Sequence, residues 1–330
     1  MPDNAVITDN YVKAWNYINR PTYEKITCSI SGGSDSDIVL DICCRCDKDK
    51  KITYVFYDTG VEYQATKKHL DYIENLYGIE IKRIKAAEYG KTIPTSCREY
   101  GQPFISKFAS ECMMRLQMHD FKWENDSYEN LIRKYPMCSS ALKWWCDDYG
   151  DGSRFGISRN KYLKEFIIQN PPAFRISNKC CKYAKKMLAE HFVKENKADL
   201  NIVGVRKLEG GARSTAYKSC FSNGEDKSDS YRPIFWYSDS DKRDYEKHFG
   251  IVHSDCYTVY GLRRTGCVGC PYGLNLEQEL EATRINEPKL YKAVCNIFKD
   301  SYEYTRQYRK FAKKMSEAEN GFTQIKLEDL

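Results

Sequence analysis

The sequence contains no run of eighteen apolar residues, and its opening, Met1 to Asn10, has no basic start followed by an apolar stretch. The first absence argues against a membrane-spanning helix and the second against secretion, so the expected location is the cytoplasm. Neither the G-x-G-x-x-G dinucleotide fingerprint nor the G-x-x-x-x-G-K-S/T phosphate loop occurs, which removes the two commonest nucleotide cradles. Histidine is scarce, and His69, His119, His191, His248 and His253 show no metal-binding spacing and no neighbouring cysteine or serine partner. A catalytic triad or a zincin is therefore not expected, and the histidines carry no assignment. No internal repeat and no low-complexity tract is present.

What is present suits a compact globular chain: 330 residues, 42% hydrophobic and 30% charged. Lysine and arginine outnumber aspartate and glutamate by 52 to 46, a net charge of +6 that is compatible with anionic ligands without singling out nucleic acid. Fifteen cysteines are many, and in a reducing compartment they read as buried small hydrophobes, metal ligands or reactive thiols rather than disulfides.

The apolar pattern alternates strand and helix. KITCSIS (Lys25 to Ser31) predicts a short buried strand, followed by Gly32-Gly33 and a helical run with Ile38, Val39, Leu40, Ile42 and Cys43. Strands are also predicted at Ile52 to Tyr57, Ile79 to Ile84 and Leu200 to Val205, with a helix between Val61 and Tyr77. This order implies an α/β fold with a doubly wound parallel sheet, whose ligands sit beyond the carboxyl ends of the strands. Residues 1–24 read as an N-terminal extension, 25–274 as the α/β domain with a helical insertion at about 92–175, and 275–330 as a helical C-terminal tail.

The turn Ser31-Gly32-Gly33-Ser34-Asp35-Ser36 falls where a strand passes into a helix, so backbone N–H groups and the positive helix end point at one place. Glycine lets the backbone come close and serine adds donors, which makes phosphate or pyrophosphate the natural occupant. This segment resembles the SGGxDS signature of the PP-loop family, which grips the pyrophosphate of ATP or a related adenine nucleotide. The resemblance implies that Asp58, in the YDTG turn ending the second strand, lies beside the nucleotide.

Cys180 and Cys181 are adjacent, and Cys267-Val268-Gly269-Cys270 follows after 85 intervening residues. Two thiol pairs can make four ligands, and four sulfurs suit iron-sulfur or zinc. Zinc sites favour two C-x₂₋₄-C knuckles, so the doublet leans toward a 4Fe-4S cluster, with zinc the alternative. The order of CC, GVRKLEGGAR (204–213), RPIFWYS (232–238) and LRRTGCVGCP (262–271) resembles the sulfonucleotide (PAPS) reductase family. The likeness is to its cluster-bearing members, adenylyl-sulfate reductases and a DNA phosphorothioation component among them. It implies that Cys180, Cys181, Cys267 and Cys270 hold the cluster, and that Arg206, Glu209 and Arg213 bind the nucleotide's anionic groups. Lys179, Lys182 and Arg264 could offset the charge of the thiolates.

The resemblance breaks at one point. A sulfonucleotide reductase needs a cysteine nucleophile near its carboxyl end. Here only Cys295 follows Cys270, and its spacing from Leu290, Val294 and Phe298 makes it a core residue by expectation. The intact loop favours ATP over a preformed sulfonucleotide such as PAPS. The expected activity is adenylation of an acceptor with release of pyrophosphate, magnesium offsetting charge, for sulfur transfer assisted by the cluster. Asp35 and Ser36 are the candidate catalytic residues among the loop's nucleotide-binding set, Ser31 to Ser36. A PAPS or adenylyl-sulfate reductase, and an accessory nucleotide-binding subunit with a structural metal, stand as alternatives. The compatible partners are a nucleic-acid acceptor or a sulfur-donor protein, and a second copy of the chain. Aromatic residues and the tail cations Arg306, Arg309, Lys310, Lys313 and Lys314 suit nucleic acid, although a solvated helix face explains that tail equally well. Cys43, Cys44 and Cys46 read as core thiols.

Overall fold

The computed structural model describes residues 2–150, 153, 155–209, 216–224 and 228–328. Arg213 lies outside these residues. The chain forms two compact units, the first comprising Met1–Thr92, Ala184–Val268 and Gln278–Leu290 and the second Ile93–Tyr183, Gly269–Glu277 and Tyr291–Leu330. The N-terminal extension thus falls within the first unit, and most of the helical insertion within the second. Among the described residues no helix is long and apolar enough to cross a membrane.

The first unit is built on a six-stranded sheet in the order β3-β2-β1-β4-β6-β5. Its strands are β1 (Ile26–Ile30), β2 (Ile52–Asp58), β3 (Ile81–Lys85), β4 (Leu200–Val203), β5 (Phe221–Ser222) and β6 (Asp229–Tyr231). All neighbours run parallel except β5, which is antiparallel to β6. This is the α/β architecture expected from the sequence, and the β3 edge begins two residues later than the apolar pattern suggested.

Side chains of a strand alternate between faces, and β2 shows that both faces are covered. Tyr54 and Phe56 enter a core shared with α1 (Ala5–Ile18), α2 (Ser34–Cys46) and α3 (Gln64–Tyr77). Tyr57 points the other way, its ring edge-on to Phe192 at 6.4 Å, on a helix spanning Met187–Glu195. Cys43 and Cys46 are fully buried in this core, and burial pushes the thiols of Cys44 and Cys46 up to about 12. Cys43 Sγ lies 3.9 Å from Cys28 Sγ on β1, so these are packing thiols, as expected.

The second unit is helical. Its core gathers Phe104, Phe121, Trp123, Trp144, Trp145 and Phe166, and the rings of Phe121 and Trp145 meet edge-on at 5.6 Å. The Trp145 indole N–H donates to Glu124 O at 2.9 Å, which satisfies the polar edge of a buried ring. The long C-terminal helix, Lys299–Glu328, adds Tyr304 to this core, and the Tyr304 hydroxyl donates to Asn170 O at 2.6 Å.

Within the first unit, α2 brings a charge into the core. Asp41 is fully buried and accepts from Arg45 Nε at 2.8 Å, Tyr77 OH at 2.8 Å and Tyr245 OH at 2.6 Å. A buried carboxylate is tolerable only with such partners. Replacing Tyr245 by Phe leaves one carboxylate lone pair unmet and is expected to lower unfolding free energy by about 1–3 kcal/mol, read from urea denaturation monitored by circular dichroism.

Candidate functional site

The Ser31–Ser36 turn leaves β1 at the carboxyl end of the sheet, between β2 on one side and β4 on the other. Chain order reverses between β1 and β4, and the crevice at such a reversal is where doubly wound sheets take their ligands. Gly32 has φ +65°, and a Cβ there would stand 2.6 Å from Thr66 Cγ2 on α3, so this position requires glycine on two counts.

The loop is internally braced. Ser36 Oγ accepts from Ser31 N at 2.9 Å, and Gly33 O accepts from Asp37 N at 3.0 Å to start α2. Ser34 N donates to the Tyr257 hydroxyl at 3.0 Å. Ser36 therefore shapes the loop, while Ser34 and Asp35 face polar partners. Asp58 is the last residue of β2, the strand paired with β1 on the side away from β4. Asp58 Oδ1 accepts from Gly60 N at 2.9 Å and Oδ2 from Lys67 Nζ at 2.6 Å.

Two cations stand on the loop. Arg206 Nε donates to Asp35 Oδ2 at 3.0 Å and its NH1 to Asp239 Oδ1 at 2.7 Å, while Glu209 Oε1 accepts from Arg206 N at 3.1 Å. Glu209 thus braces the backbone at Arg206. The second cation was not legible in the sequence. Lys242, on the helix Asp239–Phe249, donates from Nζ to Asp35 Oδ1 at 2.7 Å and to Ser34 Oγ. A capping box at Ser238 and Asp241 starts this helix and fixes where its first turn points.

Behind Lys242 runs a chain of charges that the sequence also concealed. Lys242 Nζ is 3.7 Å from Glu246 Oε1, and the same oxygen lies 2.9 Å from His253 Nε2. His253 Nδ1 lies 2.8 Å from Asp37 Oδ2, and His69 Nε2 lies 3.0 Å from Asp37 Oδ1. The partners are separated by 32 and 216 residues, and no local motif marks them. Burial alone would lower the His253 pKa, but the bonds to Asp37 and Glu246 outweigh it and raise it to about 9. At neutral pH the imidazolium donates from both ring nitrogens and bridges two carboxylates.

The cysteines divide between the units. Cys267, in the first, has Sγ 3.6 Å from Thr59 Oγ1. Cys180, Cys181 and Cys270 are in the second, where Cys180 is buried and the other two half-buried. Among the described residues, no group of three or more His, Cys, Asp or Glu side chains stands ready to hold a metal ion. No disulfide links the described cysteines. Against an opposing effect of Cys181, the neighbouring thiols and burial push the Cys180 thiol well above its usual range. The donor set of the second unit is thus thiol throughout, the soft chemistry that an iron-sulfur cluster or zinc takes, although not closed into a ligand shell. Burial and the nearby thiols of Cys180, Cys181 and Cys270 push the Tyr272 hydroxyl well above its usual pKa.

Cys295 is not a core residue. Val294 and Phe298 take the buried face of their helix, and Cys295, one step round from Val294, is half-buried on an open groove of about 490 Å³ with Lys299, Tyr302, Arg306 and Lys310. Of the tail cations, Arg306 is paired with Glu277 at 2.9 Å and Lys313 with Glu317 at 3.8 Å.

A glycine-bearing turn at the switch point of a parallel sheet, with two cations held on it, defines an α/β protein with a candidate anion cradle. Residues 25–138 match the phosphoadenosine phosphosulfate reductase domain model. An uncharacterized protein of Methanocaldococcus jannaschii is 30% identical over 177 residues, which take in 51% of this chain and 34% of that protein. The chain therefore spans about a third of that relative's length. Similar solved structures include phosphoadenylyl-sulfate reductase from Candida auris in complex with phosphate, at 13% identity and a TM-score of 0.40, covering 78% of this chain and 87% of that one. The U34-tRNA thiolase NcsA from Methanococcus maripaludis, with its 4Fe-4S cluster, is 14% identical with a TM-score of 0.38, covering 94% and 81%. NH3-dependent NAD synthetase from Campylobacter jejuni is 12% identical with a TM-score of 0.38, covering 91% and 94%.

The His253 bridge sets a pH dependence with a definite sign. Its folded pKa of about 9 exceeds the unfolded value of 6.5, so the stabilisation is complete below 6.5 and is lost as pH rises through 9. Comparing urea unfolding of the wild type with His253→Gln, the stability difference should be on the order of 3 kcal/mol near pH 6 and shrink steadily between pH 7 and 10. A difference independent of pH would contradict the bridge.

Proposed function

We propose that the chain binds ATP at the Ser31–Ser36 loop and adenylates an oxygen acceptor, releasing pyrophosphate, as the activating half of an iron-sulfur-assisted sulfur transfer. An acceptor oxygen attacks the α-phosphorus, the bond to the bridging oxygen breaks, and pyrophosphate leaves. The acceptor is then an adenylate, from which sulfur displaces AMP.

One observation carries this reading: Lys242 and Arg206 both sit on Asp35, at the turn where strand, glycines and helix end converge. Cations placed there suit the charge of a leaving pyrophosphate, and an arginine fork suits phosphate oxygens in pairs. The role of the residues is binding and orientation. Gly32 and Gly33 give clearance, the Ser31 and Ser34 hydroxyls add donors, Ser36 holds the loop's shape, and Asp35 keeps Lys242 and Arg206 at the mouth of the turn until an anion competes for them. Asp58 ends β2 beside β1, and the family resemblance gives this carboxylate a place beside the nucleotide. Magnesium accompanying ATP would share in offsetting the phosphate charge.

The family resemblance assigns a 4Fe-4S cluster to Cys180, Cys181, Cys267 and Cys270, thiols whose soft chemistry suits it. When bound, such a cluster supplies soft iron sites that hold sulfur for transfer. The acceptor consistent with the basic tail is a nucleic acid.

Replacing Lys242 by Met should weaken binding of a non-hydrolysable ATP analogue by about 10- to 100-fold, the loss of one charge-assisted bond, in isothermal titration with magnesium present. Pyrophosphate release from ATP in the presence of a nucleic-acid acceptor should fall with it. If the wild type releases sulfite from a sulfonucleotide and no pyrophosphate from ATP, the reductase reading takes its place.

A further inference from the structure

Tyr257 stands in SDCYTVYG, a stretch without a motif, yet its side chain meets the Ser31–Ser36 loop. The short helical turn that carries it, Asp255–Thr258, starts at Ser254, whose hydroxyl accepts from Cys256 N at 3.3 Å. Cys256 is fully buried, and its Sγ lies 3.5 Å from Thr66 Oγ1 on α3. Thr66 is also the residue whose Cγ2 a Cβ at Gly32 would strike, so one threonine packs against both the loop and this turn. Leu262 N donates to Cys256 O at 2.9 Å, which turns the chain back toward Thr265. The buried neighbour thus fixes where Tyr257 points.

The Tyr257 hydroxyl accepts from Ser34 N at 3.0 Å and from Thr265 N at 3.3 Å. Two N–H donors fill its accepting capacity, and what remains to it is its own proton. Among the described residues the one further partner is Thr265 Oγ1 at 3.5 Å, beyond the usual range for a bond between hydroxyls. The proton is therefore held only weakly, on a phenol that two backbone bonds polarise into a better donor. The surroundings of Gly33 show what lies near it. A Cβ there would stand 3.0 Å from Thr265 Oγ1 and 3.3 Å from both Ser31 Oγ and the Tyr257 hydroxyl. Three hydroxyls from separate parts of the chain converge on the bare side of one glycine, and an oxyanion laid against it meets donors on each side.

We propose that Tyr257 is a pyrophosphate-binding residue, whose hydroxyl takes up the Ser34 and Thr265 N–H groups and gives its own proton to a phosphate oxygen laid against Gly33. This rests on the reading that the Ser31–Ser36 loop takes the pyrophosphate of ATP. The Ser34 N–H then acts on the ligand through the phenol instead of touching it. Thr265 supports the phenol with its N–H and adds its hydroxyl to the same face. Lys242 and Arg206 attract anions of any shape, whereas a hydroxyl fixed by two backbone bonds favours an oxygen in one place.

The test titrates the full chain with inorganic pyrophosphate and magnesium in a calorimeter, with far-ultraviolet circular dichroism to check folding. Tyr257→Phe should bind pyrophosphate about 10-fold more weakly, the loss of one hydrogen bond to a charged acceptor. An unchanged affinity overturns the proposal, and so does a tighter one, which would mean that the hydroxyl obstructs the Ser34 N–H. Should the Phe variant fail to fold, a chain carrying 3-fluorotyrosine at position 257 decides the matter. That phenol is a stronger donor with almost the same shape, and at about pH 6 it keeps its proton. It should bind pyrophosphate several-fold more tightly than the wild type, and equal or weaker binding overturns the proposal. A wild type that binds neither pyrophosphate nor a non-hydrolysable ATP analogue overturns the reading of the loop as well. Wild-type binding that Tyr257→Phe leaves intact overturns the role of Tyr257 alone.

Discussion

Helix α2 carries carboxylates at positions 35, 37 and 41, and the last two are buried, so the interior of the first unit has to supply donors wherever this helix goes. An unmet carboxylate in a packed core costs several kcal/mol. That requirement recruits Tyr77 and Tyr245 to Asp41, and His69 and His253 to Asp37. The helix Asp239–Phe249 is fastened to α2 through Tyr245 and, by way of Glu246 and His253, through Asp37. Once it is fastened there, its first turn can present Lys242 only at Asp35. A demand for charge satisfaction in the core thus fixes the geometry of the loop.

The parallel sheet and its loop were legible because both are local. Four apolar runs of strand length, each followed by a helical pattern or a turn, suffice to order β1 to β4, and SGGSDS occupies six consecutive residues. The short β5 and β6 escaped that reading, since two or three residues carry no periodicity. Arg206 was found through its stretch, but its hold on Asp35 spans 171 residues. Lys242 was invisible for the same reason: in DSDKRDYEKHF it is one charge among many on a helix, and only its partner distinguishes it.

The histidines and Cys295 show two opposite failures of spacing as a guide. Spacing finds ligands that lie on one element, so His69 and His253, on different elements, showed nothing, although both reach the same carboxylate. Spacing also places Cys295 with Val294 and Phe298, but neighbours one residue apart on a helix differ by about 100° in direction. Val294 can be wholly buried while Cys295 borders a groove. Periodicity identifies the face that a helix buries, and it resolves poorly the residues at the edge of that face.

The ion pairs on Asp35 bear on how tightly an anion can be held. Lys242 and Arg206 are partly buried and already neutralised, so an incoming pyrophosphate gains their attraction only by giving up part of their bonds to Asp35. The net gain is a difference between two charge-assisted interactions, smaller than either alone. In return, no loop or helix has to be ordered when the ligand arrives, because the same pairs hold both cations in place beforehand. Affinity lost to competition with Asp35 is offset by freedom already surrendered on folding, and the balance favours a ligand carrying more than one negative charge. A pyrophosphate, with several anionic oxygens for two cations and a row of backbone donors, meets that condition where a single carboxylate does not.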